Sequence, residues 1–172
     1  MGGWLTQGRT IDDDTTERIV HRAFDLGINL FDTADVYNRG EAELSLGKAI
    51  KGMRREDLVI ATKCFFPMSD RPNDRGLGRK HITVSVHASL KRLGTDYIDL
   101  MQFHRWDSET PLDETVRAID DLIKQGKVLY WGVSEWDENQ ITSAVEVAKS
   151  LHANPPASDQ PIYRRICGAK PP

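Results

Sequence analysis

The stretch Asn29-Leu30-Phe31-Asp32-Thr33-Ala34-Asp35-Val36-Tyr37 begins as an apolar run and ends in polar groups. Its apolar start is typical of a strand buried in a parallel sheet, and we predict a strand over 29–37. Asp32 lies inside this run, where a carboxylate is costly unless it is paired. Tyr37 follows where the strand should open into a loop. A buried acid followed by a phenol at a strand end indicates a candidate acid–base site.

The composition indicates a globular protein with one sizeable core. The chain has 172 residues, of which 39% are hydrophobic and 28% charged. A net charge of -3 gives no basic surface for nucleic acid. No apolar run approaches the roughly 20 residues of a membrane helix, and no signal peptide is visible, so we expect no membrane insertion. The two cysteines, Cys64 and Cys167, are predicted to be reduced thiols of a cytoplasmic protein.

Strand and helix patterns alternate along the chain. After a short strand-like piece at 2–8, helices are predicted over 12–26, 40–50, 81–93, 112–127 and 138–151. Strands are predicted over 29–37, 58–63, 97–104, 128–134 and 157–162. This order is typical of βαβ units with right-handed crossovers and a parallel sheet. No linker divides the chain, which predicts a single domain.

A polar residue stands at the C-terminal end of each later strand, and these residues recur about one βα unit apart: Asp32, Lys63, His104, Ser134 and Gln160. In a β/α barrel such strand ends converge on one mouth, where active sites lie. A doubly wound sheet would spread the same groups along a line. We therefore predict an α/β fold of the parallel (β/α) TIM-barrel type. It is incomplete, with about five βα units and a sixth strand over residues 1–163 and an irregular tail over 164–172.

Several motifs carry a resemblance to a known family: Gly2-Gly3-Trp4-Leu5-Thr6, the 29–37 stretch, Ile60-Ala61-Thr62-Lys63, Arg75-Gly76-Leu77 with Arg79-Lys80-His81-Ile82, and Tyr130-Trp131-Gly132-Val133-Ser134. The sequence resembles the aldo-keto reductase superfamily. It is most similar to the branch that contains the β subunits of voltage-gated potassium channels and their microbial relatives. The resemblance extends from Gly2 to about Tyr163.

The resemblance implies a catalytic tetrad of Asp32, Tyr37, Lys63 and His104. Carbonyl reduction by a nicotinamide builds negative charge on oxygen, which needs a proton donor. In this hypothesis Tyr37 supplies the proton, and Lys63 lowers the pKa of its phenol. Asp32 neutralises and orients Lys63, and His104 points a hydrogen-bond donor at the carbonyl oxygen.

The resemblance also implies NADPH as the cofactor. Ser134 and Gln160 would hold the nicotinamide carboxamide, and Gly3 and Trp4 would line the cofactor and substrate pocket. Asp32 and Glu135 complete the expected cofactor-binding set, although relatives carry asparagine or arginine where this chain has Glu135. The implied function is NADPH-dependent reduction of aldehyde or ketone carbonyls on a small-molecule substrate.

Other interpretations remain open. Members of the channel branch can serve as regulatory subunits, which leaves a channel-like partner as one alternative, and open strand edges leave a homo-oligomer as another. A shortened product without activity is the third. Taken singly, Asp32, Lys63 and His104 are each more often structural, whereas together at successive strand ends they favour the enzyme. His81 and His87 lack metal-ligand spacing and are predicted to lie on a helix surface.

Overall fold

Each strand of the sheet pairs with its neighbours in the chain, and all pairs are parallel. The computed structural model describes residues 12–162, so the predictions for 2–8 and for the tail lie outside the described residues. The strands are β1 (Leu30–Asp32), β2 (Val59–Cys64), β3 (Ile98–Phe103), β4 (Val128–Ser134) and β5 (Ser158–Gln160). The helices are α1 (Asp13–Asp25), α2 (Glu41–Ala49), α3 (Arg79–Leu93), α4 (Leu112–Lys124) and α5 (Glu138–Ser150).

The strand order β1-β2-β3-β4-β5 distinguishes the two candidate α/β architectures. A doubly wound sheet reverses its order at a switch point, whereas a β/α barrel adds each new strand beside the last. The sequential order confirms the predicted barrel type, and the five described strands form part of an incomplete β/α barrel. Lys63 pairs with Gln102, Gln102 with Gly132, and Gly132 with Ser158, so these residues share one level across the sheet.

The hydrophobic core lies between the sheet and its helices. The outer face of the strands contributes apolar side chains with at most 5% exposure: Phe31, Ile60, Met101, Phe103, Trp131 and Val133. The helices cover them with Val86, Leu90, Ile119, Leu122, Ala144 and Ala148. Because alternate strand residues face opposite ways, Leu30 and Tyr130 lie on the other, inner face. They are 51% and 62% exposed, so the inner face is open to solvent around them, whereas Lys63 and Gln102 on the same face are 1% and 4% exposed.

The first strand is shorter than predicted, because β1 ends at Asp32. The chain continues through Thr33 to Val36 and then forms a short 3-10 turn over Tyr37–Gly40. Asn38 and Arg39 in this turn have φ of 50° and 53°, a left-handed conformation that is uncommon for residues other than glycine. A tight, strained turn therefore carries Tyr37 away from the strand.

Two helices begin at an aspartate whose side chain caps the first turn. Asp12 accepts a hydrogen bond from the Thr15 amide at 2.7 Å at the start of α1. Asp137 and Gln140 form a reciprocal capping box at the start of α5. Within residues 12–162, no helix has the length and apolar character that a membrane crossing requires.

Candidate active site

The Lys63 ammonium is the central charge of the strand mouth. Lys63 comes from β2 and is 1% exposed. Its Nζ donates to Asp32 Oδ2 at 2.6 Å and to the Thr33 carbonyl oxygen at 3.0 Å. A buried ammonium is tolerated only when it is paired in this way. β1 and β2 are adjacent strands, which is why residues 31 positions apart meet.

Tyr37 and His104 face each other beside this ion pair. The Lys63 Nζ lies 5.5 Å from the centroid of the Tyr37 ring. The Tyr37 and His104 rings meet edge to face, with centroids 5.8 Å apart and planes at 76°. The Phe66 and His104 rings also meet edge to face, with their centroids 4.9 Å apart. The structure thus brings the four predicted tetrad residues together at one strand mouth. Their catalytic roles remain predictions.

The electrostatics of the site differ from the sequence-based hypothesis in one respect. The pKa of Tyr37 is raised rather than lowered, because burial and the nearby Asp32 carboxylate disfavour the phenolate, with only Arg105 opposing them. Burial also lowers the pKa of Lys63, although the Asp32 carboxylate acts against that shift. Because Lys63 is bonded to Asp32 rather than to the phenol, its charge is largely compensated. Tyr37 is therefore protonated at neutral pH.

His104 is held neutral. Burial, followed by the positive charges of Lys63 and Arg105, lowers the pKa of His104 to about 4. A neutral imidazole can donate one hydrogen bond without giving up a full proton. The Nδ1 atom of His104 and the Oδ1 atom of Asp32 are both buried, and neither has a hydrogen-bond partner among the described residues. The site therefore has unused capacity to bind a polar group.

Ser134 and Gln160, which are predicted to hold the cofactor, lie at the same C-terminal ends of the strands as the tetrad. The Ser134 hydroxyl, at the end of β4, donates to the Gln160 carbonyl oxygen at 3.1 Å. Gln160 Nε2 donates to Asp32 Oδ2 at 3.4 Å, so a side-chain hydrogen bond links the end of β5 to the end of β1. Gly3 and Trp4 lie outside the described residues.

Glu135 makes a contact that the sequence did not reveal. Its Oε1 lies 2.8 Å from Arg105 Nη2, and this ion pair joins the loops that follow β3 and β4. Arg105 also lies 5.5 Å from the centroid of the Phe66 ring and donates to the His104 carbonyl oxygen. Glu135 has a left-handed φ of 54°. The only sequence signal for this pair is that Arg105 and Glu135 each directly follow a strand-end polar residue.

A cleft of about 500 Å³ opens between the loops after β2 and β3. Phe65, His81 and Trp106 are among its lining residues. The prediction that His81 lies on a helix surface was wrong, because it is 5% exposed and burial lowers its pKa. The helix turns this position towards the loop instead of towards solvent. His87 is exposed as predicted.

Two further kinds of site, a metal site and a reactive cysteine, are not supported by residues 12–162. Among residues 12–162, no group of three or more His, Cys, Asp or Glu side chains is placed to hold a metal ion. Cys64 is a fully buried free thiol, and burial raises its pKa. A buried thiol with a raised pKa is a poor nucleophile.

The fold and the site define a parallel β/α-barrel protein with an acid–base cluster at the C-terminal ends of its strands. A model of the aldo/keto reductase family matches residues 1–166. The chain belongs to this family. The match confirms the resemblance stated from the motifs and supports an oxidoreductase family function.

Similar proteins include β subunits of potassium channels. The chain is 46% identical over 170 residues to a Schizosaccharomyces pombe protein, covering 96% of this chain and 49% of that protein. It is 46% identical over 172 residues to an Arabidopsis thaliana protein named "Probable voltage-gated potassium channel subunit beta", covering 99% of this chain and 52% of that protein. A rice protein of the same name is 44% identical over 164 residues, covering 94% of this chain and 50% of that protein. The Schizosaccharomyces pombe protein carries a name of the same type. The chain spans about half the length of these curated relatives.

Proposed function

We propose that this protein is a cytoplasmic, NADPH-dependent reductase of aldehyde or ketone carbonyls in which Tyr37 donates the proton. The observation that carries the proposal is the placement of Lys63. Its ammonium is 1% exposed, bonded to Asp32 and set 5.5 Å from the centroid of the Tyr37 ring. A buried charge beside a phenol at a strand mouth is costly for stability and is typical of catalytic sites.

The roles of the four residues follow from where charge develops. The carbonyl oxygen becomes negative as it is reduced, and the protonated Tyr37 gives its proton to that oxygen. The resulting phenolate lies near the Lys63 ammonium, which stabilises it more than it stabilises the neutral phenol. Asp32 keeps Lys63 charged and in place. Neutral His104 can donate a hydrogen bond to the same oxygen and so orient the carbonyl.

The residues at the ends of β4 and β5 fit a nicotinamide. A carboxamide needs both a donor and an acceptor, and the Ser134 hydroxyl and the Gln160 amide offer both. When bound, the reduced nicotinamide would supply the hydride. The buried Asp32 Oδ1, which has no hydrogen-bond partner among the described residues, supports the presence of a polar ligand at this mouth. Gly3, Trp4 and Glu135 complete the set that the family resemblance assigns to the cofactor pocket.

The test compares two tyrosine variants in the full 172-residue chain. NADPH binding is followed by nucleotide fluorescence, and turnover is measured on an aromatic aldehyde. Tyr37→Phe is expected to lower turnover by about 100-fold or more while leaving NADPH affinity unchanged, because the phenol is a proton donor. The matched control is Tyr97→Phe, since Tyr97 packs its ring under Arg55 and takes no part in the site. Absence of NADPH binding and turnover in the unmodified chain, or full turnover in Tyr37→Phe, would refute the proposal.

A second candidate function comes from the names of the relatives, which describe potassium channel β subunits. Under this alternative the chain would bind NADPH and a channel-like partner without steady turnover. His104 favours the reductase, because a neutral imidazole facing Tyr37 serves carbonyl chemistry. NADPH binding together with failure to reduce a panel of aldehydes and ketones would favour the regulatory candidate. Neither binding nor turnover would indicate a chain without either activity.

A further inference from the structure

The carboxyl of Asp35 is buried behind the site and has no place in the proposed chemistry. Asp35 is 0% exposed, although it lies between the two site residues Asp32 and Tyr37. Its Oδ2 accepts a hydrogen bond from the Ser85 hydroxyl of α3 at 2.8 Å. Its Oδ1 is buried without a hydrogen-bond partner. Burying a carboxyl with one oxygen unsatisfied costs stability, so the position calls for an explanation other than packing.

The backbone around Asp35 is tied to β2 on one side only. The Thr33 amide donates to the Ala61 carbonyl at 2.9 Å, and the Asp35 amide donates to the Lys63 carbonyl at 3.0 Å. After Asp35 the chain leaves the sheet and enters the turn that holds Tyr37. Among the described hydrogen bonds, the one between Asp35 and Ser85 is the last to another element before this turn, in which the Tyr37 amide donates to the Ala34 carbonyl at 3.1 Å.

The turn itself is strained and needs support. Asn38 and Arg39 both have left-handed φ values, which cost energy for residues other than glycine. At the far end of the turn, Gly40 lies against the Arg92 side chain of α3, so closely that an added Cβ would meet Arg92 Cδ at 2.7 Å. Helix α3 thus contacts the turn at both ends, through Ser85 before Tyr37 and through Arg92 after it.

We propose that Asp35 is a positioning residue that, through Ser85, anchors the Tyr37 turn to α3 and keeps the phenol facing Lys63 and His104. This inference rests on the proposed function in one respect, namely that the orientation of Tyr37 matters for proton donation. Asp35 does not contact the phenol, so it acts through the backbone of the segment between them.

The charge of Asp35 adds a pH dependence to this anchor. Burial, aided by the Glu43 carboxylate of α2, raises the pKa of Asp35 to about 7, against the opposing effects of Ser85, the Arg92 guanidinium and the Val36 amide. The thiol of Cys64 on β2 is a further titratable neighbour among the described residues. As pH rises through 7, the carboxyl ionises in a buried position beside Glu43. Ser85 binds a carboxylate more strongly than a neutral carboxyl, while Glu43 repels it, so the geometry of the anchor is expected to change on ionisation. An asparagine at this position would stay neutral at every pH.

The experiment reads the ring of Tyr37 directly, in the full chain labelled with ¹³C in its tyrosine rings. The Tyr37 signal is assigned with Tyr37→Phe. In the unmodified protein it is expected to shift between pH 5.5 and 8.5 with a midpoint near 7. Asp35→Asn should hold the low-pH position throughout, because it keeps the shape and the bond to Ser85 but cannot ionise. Asp35→Ala should move the signal towards that of an exposed tyrosine at every pH. Asp25→Asn, at an exposed aspartate, is the control.

Ser85→Ala covers the case in which Asp35→Ala does not fold, with the exposed Ser143→Ala as its control. It should displace the Tyr37 signal in the same direction as Asp35→Ala. A Tyr37 signal that is unchanged in Ser85→Ala, or that still titrates near pH 7 in Asp35→Asn, would overturn the inference. Aldehyde turnover is measured in parallel, and Asp35→Ala should lower kcat with little change in NADPH affinity. If no variant turns over, the proposed function fails while the ring signal still decides the anchor.

Discussion

The buried ion pair between Glu43 and Arg92 offers the sharpest test of the packing between α2, α3 and β2. The Glu43 side chain is 0% exposed, and its two oxygens accept from Thr62 Oγ1 and Arg92 Nε, each at 2.6 Å. Arg92→Met would leave a buried carboxylate with one hydroxyl partner. Breaking a buried pair in this way costs about 3–5 kcal/mol, because the remaining charge is uncompensated. We expect a loss of this size in the free energy of unfolding.

The matched control is Lys48→Met, which removes an ion pair of the same 2.6 Å length. The Lys48 and Asp13 side chains are 65% and 46% exposed, so this pair should contribute roughly 0–1 kcal/mol. Both variants are measured by urea unfolding at pH 7, followed by tryptophan fluorescence and extrapolated to zero urea. Adding Glu43→Gln to Arg92→Met should recover part of the loss. Equal small losses in both single variants, or no recovery in the double variant, would refute the reasoning.

Three further predictions concern the site and its frame. The His104 imidazole should titrate near pH 4 by NMR, and Arg105→Gln should raise its pKa, since one of the positive charges that disfavour imidazolium is removed. Gly132→Ala should detach β5 and lower stability, because the new Cβ would meet Ser158 Oγ at 2.1 Å; amide hydrogen exchange of the β4 and β5 strands measures this. Asp137→Ala should lower the free energy of unfolding by about 1 kcal/mol through loss of the α5 cap, as measured by urea unfolding.

Controls for these predictions are present in the chain. The control for Gly132→Ala is Gly78→Ala, whose new Cβ would lie at ordinary contact distances of 3.6 Å from Glu114 Oε1 and 3.9 Å from Thr110 Oγ1. Amide hydrogen exchange in β5 should therefore be unchanged. Glu146→Ala on the exposed side of α5 leaves the cap intact and should change stability little. A His104 midpoint that stays the same in Arg105→Gln would contradict the electrostatic account of the neutral imidazole. Protection of β5 that survives Gly132→Ala would show that the two strands can separate slightly without cost.

The sequence predicted those parts of the protein that depend on local pattern. Strands β2 and β3 and four of the helices lie within two residues of their predicted bounds, and α4 ends three residues earlier than predicted, at Lys124. Asp32, Lys63 and His104 were singled out because they recur at successive strand ends, whereas the tetrad with Tyr37 was implied by the family resemblance, and its catalytic roles stay predictions. A longer β1 was predicted because nothing in the residues 33–36 marks a turn. The strained conformation of Asn38 and Arg39 becomes visible only in three dimensions.

The contacts that the sequence did not predict are those between distant polar residues. Asp35 and Ser85 are 50 residues apart, and Glu43 and Arg92 are 49 apart, so no periodicity links them. The direction of the Tyr37 pKa shift was missed for a related reason. The hypothesis counted the charge of Lys63 but could not weigh it against burial and against the carboxylate of Asp32, both of which depend on the folded arrangement.

The sequential order of the strands has a consequence for how the chain could fold during synthesis. Each of the five strands within residues 12–162 pairs only with its neighbours in the chain, so none of these strands has to insert between two earlier ones. At about 5–20 residues per second, a βα unit of 30 to 40 residues takes a ribosome roughly 2–8 s to make. Helices and hairpin-sized contacts form in microseconds. Every unit thus has ample time to dock on its predecessor before the next one emerges, and the arc of sheet can grow one strand at a time.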